Sequence, residues 1–184
     1  MSQLQQQDIT QPIEPFIKKL LTSLDLQYST PTTSYPSVEA YATQFGKSLK
    51  PDGSIIINGT PLIPHASPQP SSSKLEFQKK WLQSPLSFHQ LNSYDCHLIP
   101  GTGTFIINVS AKVRFDESGR NRLGESADLI TDHQRQSRAL WGSWFGVNII
   151  LVVDQTIMTN PEAEVINSFN YRFTFHPEDS VIKI

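Results

Sequence analysis

With one cysteine, Cys96, the 184-residue chain can form neither an internal disulfide nor a multi-cysteine metal site. A basic surplus is also absent, since 15 Lys and Arg stand against 17 Asp and Glu. Tight sequence-independent nucleic-acid binding leaves a net positive footprint, which this balance does not show. No apolar run approaches the about 20 residues of a membrane span. The opening MSQLQQQDIT has neither the basic nor the apolar region of a signal peptide. These absences predict a soluble intracellular chain without membrane contact. The sequons Asn58-Gly59-Thr60 and Asn108-Val109-Ser110 are then expected to stay unglycosylated. His65, His89, His97, His133 and His176 never fall at ligand spacing, so no metal or cofactor is expected.

What the sequence does have is strand alternation. Phe105, Ile107, Val109, Ala111, Val113 and Phe115 fall on one side of a stretch whose other side holds Thr104, Ile106, Asn108, Ser110, Lys112 and Arg114. Successive strand side chains point to opposite faces, so one face is committed to a core. Ser93–Ile99 alternates as well, with Tyr94, Cys96 and Leu98 together, and Pro100-Gly101-Thr102-Gly103 between the two is turn chemistry. A long antiparallel hairpin results.

The rest of the chain must cover its apolar face. Residues 1–9 read as a flexible polar arm and 10–184 as one domain, with a mobile proline- and serine-rich segment at 61–73. Asp8 or Thr10 caps a first helix carrying Ile13, Phe16, Ile17, Leu20, Leu21 and Leu24. Ser37 caps a second, with Val38, Tyr41, Ala42, Phe45 and Leu49 on its face and Pro51-Asp52-Gly53 as its stop. Ser54–Asn58 is a short strand. Ser73 and Glu76 form a capping box for a third helix, Lys74–Gln83. After the hairpin, Asp116–Arg138 is a long polar loop, Leu140–Asp154 returns to strand, and Ser168–Phe175 closes with Phe169, Tyr171, Phe173 and Phe175 inward. Three helices on one face of a curved antiparallel sheet make an α+β fold.

The second sheet face mixes aliphatic with charged residues, a pattern suited to a docked protein. Its candidate interface residues are Ile106, Asn108, Lys112, Arg114, Asn148, Ile150, Val152, Asn170, Arg172 and Thr174. Chemistry is hard to find. Pro100–Gly103 resembles a phosphate loop only by its glycines and lacks the lysine and the following helix. Asp95-Cys96-His97 cannot act side by side on a strand, so Cys96 is expected as a buried inert thiol, with Asp95 and His97 on the mixed face. No isolated buried carboxylate is visible among the inward positions, and catalysis is not expected. Arg120, Arg122, Arg135 and Arg138 in the long loop are of the type that contacts phosphate. Five carboxylates in the same loop bring its formal charge to −1, which favours a solvated loop.

The helix-helix-helix-sheet order with its Tyr-Asp-Cys-His-X-Ile-Pro-Gly turn resembles the nuclear-transport-factor-two-like fold. IPGTGTFIINVSAKVRFDESGR at Ile99–Arg120, LWGSWFGV at Leu140–Val147, FNY at Phe169–Tyr171 and PEDSVIKI at Pro177–Ile184 resemble more closely the small subunit of the fungal mRNA export receptor, the mRNA transport regulator two family. That resemblance implies a non-catalytic protein of the nucleus and nuclear pore complex, shuttling to the cytoplasm. It implies heterodimerisation, sheet face to sheet face, with the similar domain of the large receptor subunit. Phenylalanine-glycine nucleoporins and mRNA-protein particles are the further implied partners. The long inter-strand loop is implied in carrying pre-ribosomal particles. The rival readings are a homodimeric transport factor for the Ran GTPase, and a small-molecule enzyme or carrier of the same fold. Parity puts Arg172 on the outer face, where a carboxylate of the large subunit, or alternatively Asp95, is expected to hold it.

Overall fold

The computed structural model describes residues 12–28, 35–66, 71–123 and 140–182. Helix α1, Ile13–Leu24, buries all six residues of its apolar stripe. Asp8, Thr10 and the arm at 1–9 lie outside the described residues. Pro12 precedes the helix at φ −77°, a helical value that the proline ring itself imposes, and among the described residues no side chain caps this end. Ser37 caps α2 as expected, accepting the Ala40 N–H at 3.1 Å. This helix, Val38–Ala42, is much shorter than the apolar spacing predicts. Gly46 at φ +52° turns the chain out of the helix, and Leu49 opens strand β1, Leu49–Ile57. Pro51-Asp52-Gly53 therefore lies inside β1, at an irregularity between Leu49 and Ser54. Strand β2, Thr60–Pro61, follows the turn at Asn58-Gly59. Of the segment expected to be mobile, Pro61 closes β2, Ser73 opens α3 and 67–70 lie outside the described residues. Helix α3, Ser73–Leu82, is capped by Ser72 rather than Ser73. Ser72 has the extended backbone a cap needs and accepts the Leu75 N–H at 3.1 Å.

Four long strands form the antiparallel body: β3 Ser87–Ile99, β4 Thr104–Phe115, β5 Phe145–Asp154 and β6 Ile166–Phe175. The sheet order is β2-β1-β6-β5-β4-β3, and β1 runs parallel to β6, so the sheet is mixed rather than wholly antiparallel. β3 starts at Ser87, ahead of the expected Ser93, and carries an irregularity between Leu91 and Ser93. β5 starts at Phe145; of the residues before it, Trp141 makes an isolated bridge to Asp116. The alternation of β4 and β5 is realised throughout, and every inward residue from Phe105 to Phe115 and from Phe145 to Val153 is buried. Helices α1 and α3 cover that face, with Phe77 and Trp81 meeting Phe169 and Tyr171 edge to face. The expected three-helix α+β architecture holds.

One inward assignment fails. Val147 pairs with Phe173, but Gly146 pairs with Phe175, leaving Thr174 as an extra residue. An inserted residue reverses parity beyond it. Phe175 therefore turns to the outer face and is 62% exposed. Gly146 permits this crossing, because a Cβ there would lie 2.6 Å from Thr174 Oγ1 and 3.1 Å from Phe175 Cβ. Gly146→Ala is expected to destabilise the domain by about 1–3 kcal/mol through overpacking. Urea unfolding checks this, and an unchanged midpoint would show that the bulge relaxes freely.

Candidate partner interface and the buried polar core

The outer face is a ladder of cross-strand rows. Phe88 and Arg114 are paired, Gln90 and Lys112 lie beside Gly146 and Phe175, and Ser110 and Asn148 lie beside Arg172. Next come Asp95, Asn108, Ile150 and Asn170, then His97, Ile106, Val152 and Ser168. All ten candidate interface residues thus share this face or, for Thr174, the bulge at its edge. Asn148 donates to Asn108 Oδ1 at 2.7 Å, tying two of them together. Ile106, Ile150 and Phe88 stay 38%, 36% and 45% exposed, and Phe175 joins them. Exposed aliphatic and aromatic side chains grouped on a sheet face, here on either side of the Ser110–Asn148–Arg172 row, suit a docking surface.

The charges on this face are arranged unequally. Asp95 lies 2.9 Å from His97, so it is not the holder of Arg172, which stands three strands away and one row along. Asp154 is engaged by Lys50 at 2.6 Å. Lys112, Arg114 and Arg172 have no ion pair among the described residues. Lys112 sits 4.6 Å over the Trp144 ring. Arg114 is caged by three rings, 5.3 Å from Phe88, 5.2 Å from Trp141 and 4.8 Å from Trp144. Cys96 is half-buried rather than buried; burial, then Asp95, pushes its thiol pKa up, so it remains a weak nucleophile.

The expected particle-docking arginines separate. Arg135 and Arg138 lie outside the described residues. Arg120 is half-exposed, its Nε donating to Ser118 Oγ at 3.1 Å. Arg122 is withdrawn from the set altogether, because it is 1% exposed and points into the core. Its Nε donates to the Trp81 carbonyl at 3.0 Å and Ser84 Oγ at 3.1 Å, and its Nη2 to Ser87 Oγ at 2.8 Å. The guanidinium also lies over the rings of Phe45 and Trp81, each 5.2 Å away.

Ser87 passes the contact on to Asp25 Oδ1 at 2.8 Å. Asp25 in turn holds His89 by its backbone N–H at 2.7 Å and its Nδ1 at 2.6 Å, and His89 Nε2 lies 2.9 Å from the Tyr171 hydroxyl. Inward-facing polar groups of this kind were not expected from the apolar strands. Their sequence signal was the acid just past the α1 stripe and the Ser87/His89 alternation, which shares the inward parity of Phe115 and Val113 through register. Burial raises the Tyr171 pKa well above the ordinary phenol value and pushes Tyr41 up to about 12, so both hydroxyls stay neutral. Burial also lowers the Arg122 pKa, opposed by nearby Tyr41 and Asp25. Acid, base and hydroxyl are all engaged with one another, and Arg122 fills the space beside them.

The root of the long loop is therefore structural. Buried Asp116 accepts the Ser118 N–H at 3.0 Å and the Leu140 N–H at 2.8 Å through the same oxygen, joining the two ends of the loop. Replacing 124–139 by a short Gly-Ser linker is expected to leave stability nearly unchanged, since closure cost varies slowly with length. Arg122→Ala is expected to cost about 3 kcal/mol or more, because it leaves a cavity beside Phe45 and Trp81 and takes away the donors to the Trp81 carbonyl, Ser84 and Ser87. Urea unfolding of both variants checks this. A severe loss in the first, or none in the second, would reverse the assignment of anchor and insertion.

The sequence matches the family described as nuclear pore RNA shuttling protein Mtr2 over residues 4–184. It is 59% identical to the mRNA transport regulator MTR2 of Candida albicans over 184 residues, covering 97% of this chain and 99% of that protein. The fold superposes on the crystal structure of the C. albicans Mtr2–Mex67 M domain complex with a TM-score of 0.82 at 60% identity, covering 94% of this chain and all of that one. At 12% identity, a nuclear transport factor 2-like protein of Salmonella enterica superposes with a TM-score of 0.50 over 94% of each chain. The fold is accordingly nuclear-transport-factor-two-like.

Proposed function

The chain belongs to the Mtr2 family of nuclear pore RNA shuttling proteins, and on that footing we propose that it is the non-catalytic small subunit of a nuclear mRNA export receptor. Its outer sheet face docks on the similar domain of a Mex67-type large subunit, as a C. albicans relative forms a complex with the Mex67 M domain. One observation carries the placement of the interface: Phe88, Ile106, Ile150 and Phe175 are exposed on the same face as three cations without an ion pair among the described residues. Left in water, that face forfeits burial. A standard interface of about 800 Å² per side, at roughly 25 cal/mol per Å² of apolar area, gives several kcal/mol of linkage. The heterodimer works at the nuclear pore complex and shuttles between nucleus and cytoplasm, moving mRNA-protein particles by contacts with phenylalanine-glycine nucleoporins. The 116–138 loop, through Arg120, Arg135 and Arg138, is the docking element for pre-ribosomal particles; Arg122 serves the core instead.

Arg172 tests the orientation. It stands mid-sheet, exposed, opposite Asn148. Arg172→Ala is expected to weaken the heterodimer by about 2–5 kcal/mol, largely through a partner carboxylate left unpaired, and Arg172→Glu to abolish co-purification. Light scattering of the chain alone and with the large-subunit domain, followed by calorimetric titration of the variants, measures both. Affinity within about twofold of native for Arg172→Glu would remove this face from the interface. A homodimer in the first measurement would instead favour a self-associating transport factor.

A further inference from the structure

We infer that the aromatic cage at one end of the outer face makes Arg114 a preorganised receptor for an aspartate or glutamate of the large subunit. The inference rests on the heterodimer reading above and specifies the chemistry at one of its corners. Phe88 faces Arg114 directly across β3 and β4. Trp144 precedes Phe145, which pairs with Val113, so it flanks Arg114 on the other side. Trp141 is the third ring of the cage, 5.2 Å from the guanidinium carbon. Three rings attract a cation and remove water from it, but they do not accept the directed N–H bonds of the guanidinium fork. Nε of Arg114 is buried with no hydrogen-bond partner among the described residues.

A guanidinium held in one orientation, partly dehydrated and short of acceptors, is matched by a planar bidentate anion. The charges around it point to the same occupant. Of the carboxylates around it, Asp95 and Asp154 are engaged by His97 and Lys50, and Asp116, two residues beyond Arg114 and bridged to Trp141, is buried and accepts from Ser118 and Leu140 instead. Lys112, one row along, adds positive charge over Trp144. The complementary surface is therefore acidic, and the rigid cage has already fixed the arginine rotamer, whose ordering otherwise opposes binding.

The test uses the full chain and the large-subunit domain, with affinity read by titration at two salt concentrations. Arg114→Gln is expected to weaken binding by about tenfold or more and to reduce its salt dependence. Arg114→Lys, which keeps the charge but not the fork, is expected to bind several-fold less tightly than native. Arg114→Glu should then be rescued by one Asp-to-Lys or Glu-to-Lys change on the partner's facing sheet, which identifies the carboxylate. Ile150→Asp, at the centre of the face, is the control. If Ile150→Asp disrupts the complex while both Arg114→Gln and Arg114→Lys stay within about twofold of native, the cage is internal packing and the inference falls while the interface stands. If Ile150→Asp also leaves affinity unchanged, the interface reading itself falls. Should Arg114→Gln not fold, Arg114→Lys decides alone: native affinity overturns the receptor, and weakened affinity supports it.

Discussion

Everything in this molecule follows from the two-sidedness of β4 and β5. Their inward residues are closed off by α1 and α3, and burying a strand face that is almost wholly apolar fixes register, since a slip of one residue would expose the entire set. The same commitment leaves the alternate residues no internal layer. Once Phe105 to Phe115 point inward, Ile106, Asn108 and Lys112 must point out together, and the pairing sets them beside Val152, Ile150 and Gly146. The candidate interface is in this sense the obligate remainder of the core.

The second dependence is electrostatic. Nuclear-transport-factor-two-like sheets curve around a space that has to be filled. Here Arg122 enters it from the start of the long loop, over Trp81 and Phe45 and bonded to Ser87. Asp25 and His89 complete the set from α1 and β3. A charge so deeply placed depends on the bonds of its Nε and Nη2, because Nη1 is buried with no hydrogen-bond partner among the described residues. The loop root, the end of α1 and the start of β3 thereby share one network, although they are far apart in sequence.

Strands with long unbroken alternation were legible, down to which side of β4 and β5 meets the helices, and so was the identity of the outer face. What was not legible depended on single residues acting on distant neighbours. Leu49 continues the spacing of α2, and only the left-handed turn at Gly46 transfers it to β1. Phe175 continues the alternation of β6, and only the Thr174 bulge against Gly146 turns it outward. Arg122 sits in a polar, charge-balanced stretch that reads as solvated, and only the packed rings of Phe45 and Trp81 make room for it. The aromatic cage shows the same limit. LWGSWFG is a recognisable motif, but its rings acquire a role only when register sets them around Arg114.

The margins of the sheet carry a consequence for how anything can attach to it. At one side the outermost strand is β2, two residues long and ending in Pro61, which has no N–H to offer. At the other, β3 is long, but it is interrupted between Leu91 and Ser93 and carries the polar Asp95 and His97, 2.9 Å apart. Neither margin is a good template for an added strand. Growth of the sheet by edge-to-edge pairing, the route to fibrils and to promiscuous strand exchange, is disfavoured at both ends. Association is channelled to the broad face, where side chains rather than backbone decide the partner.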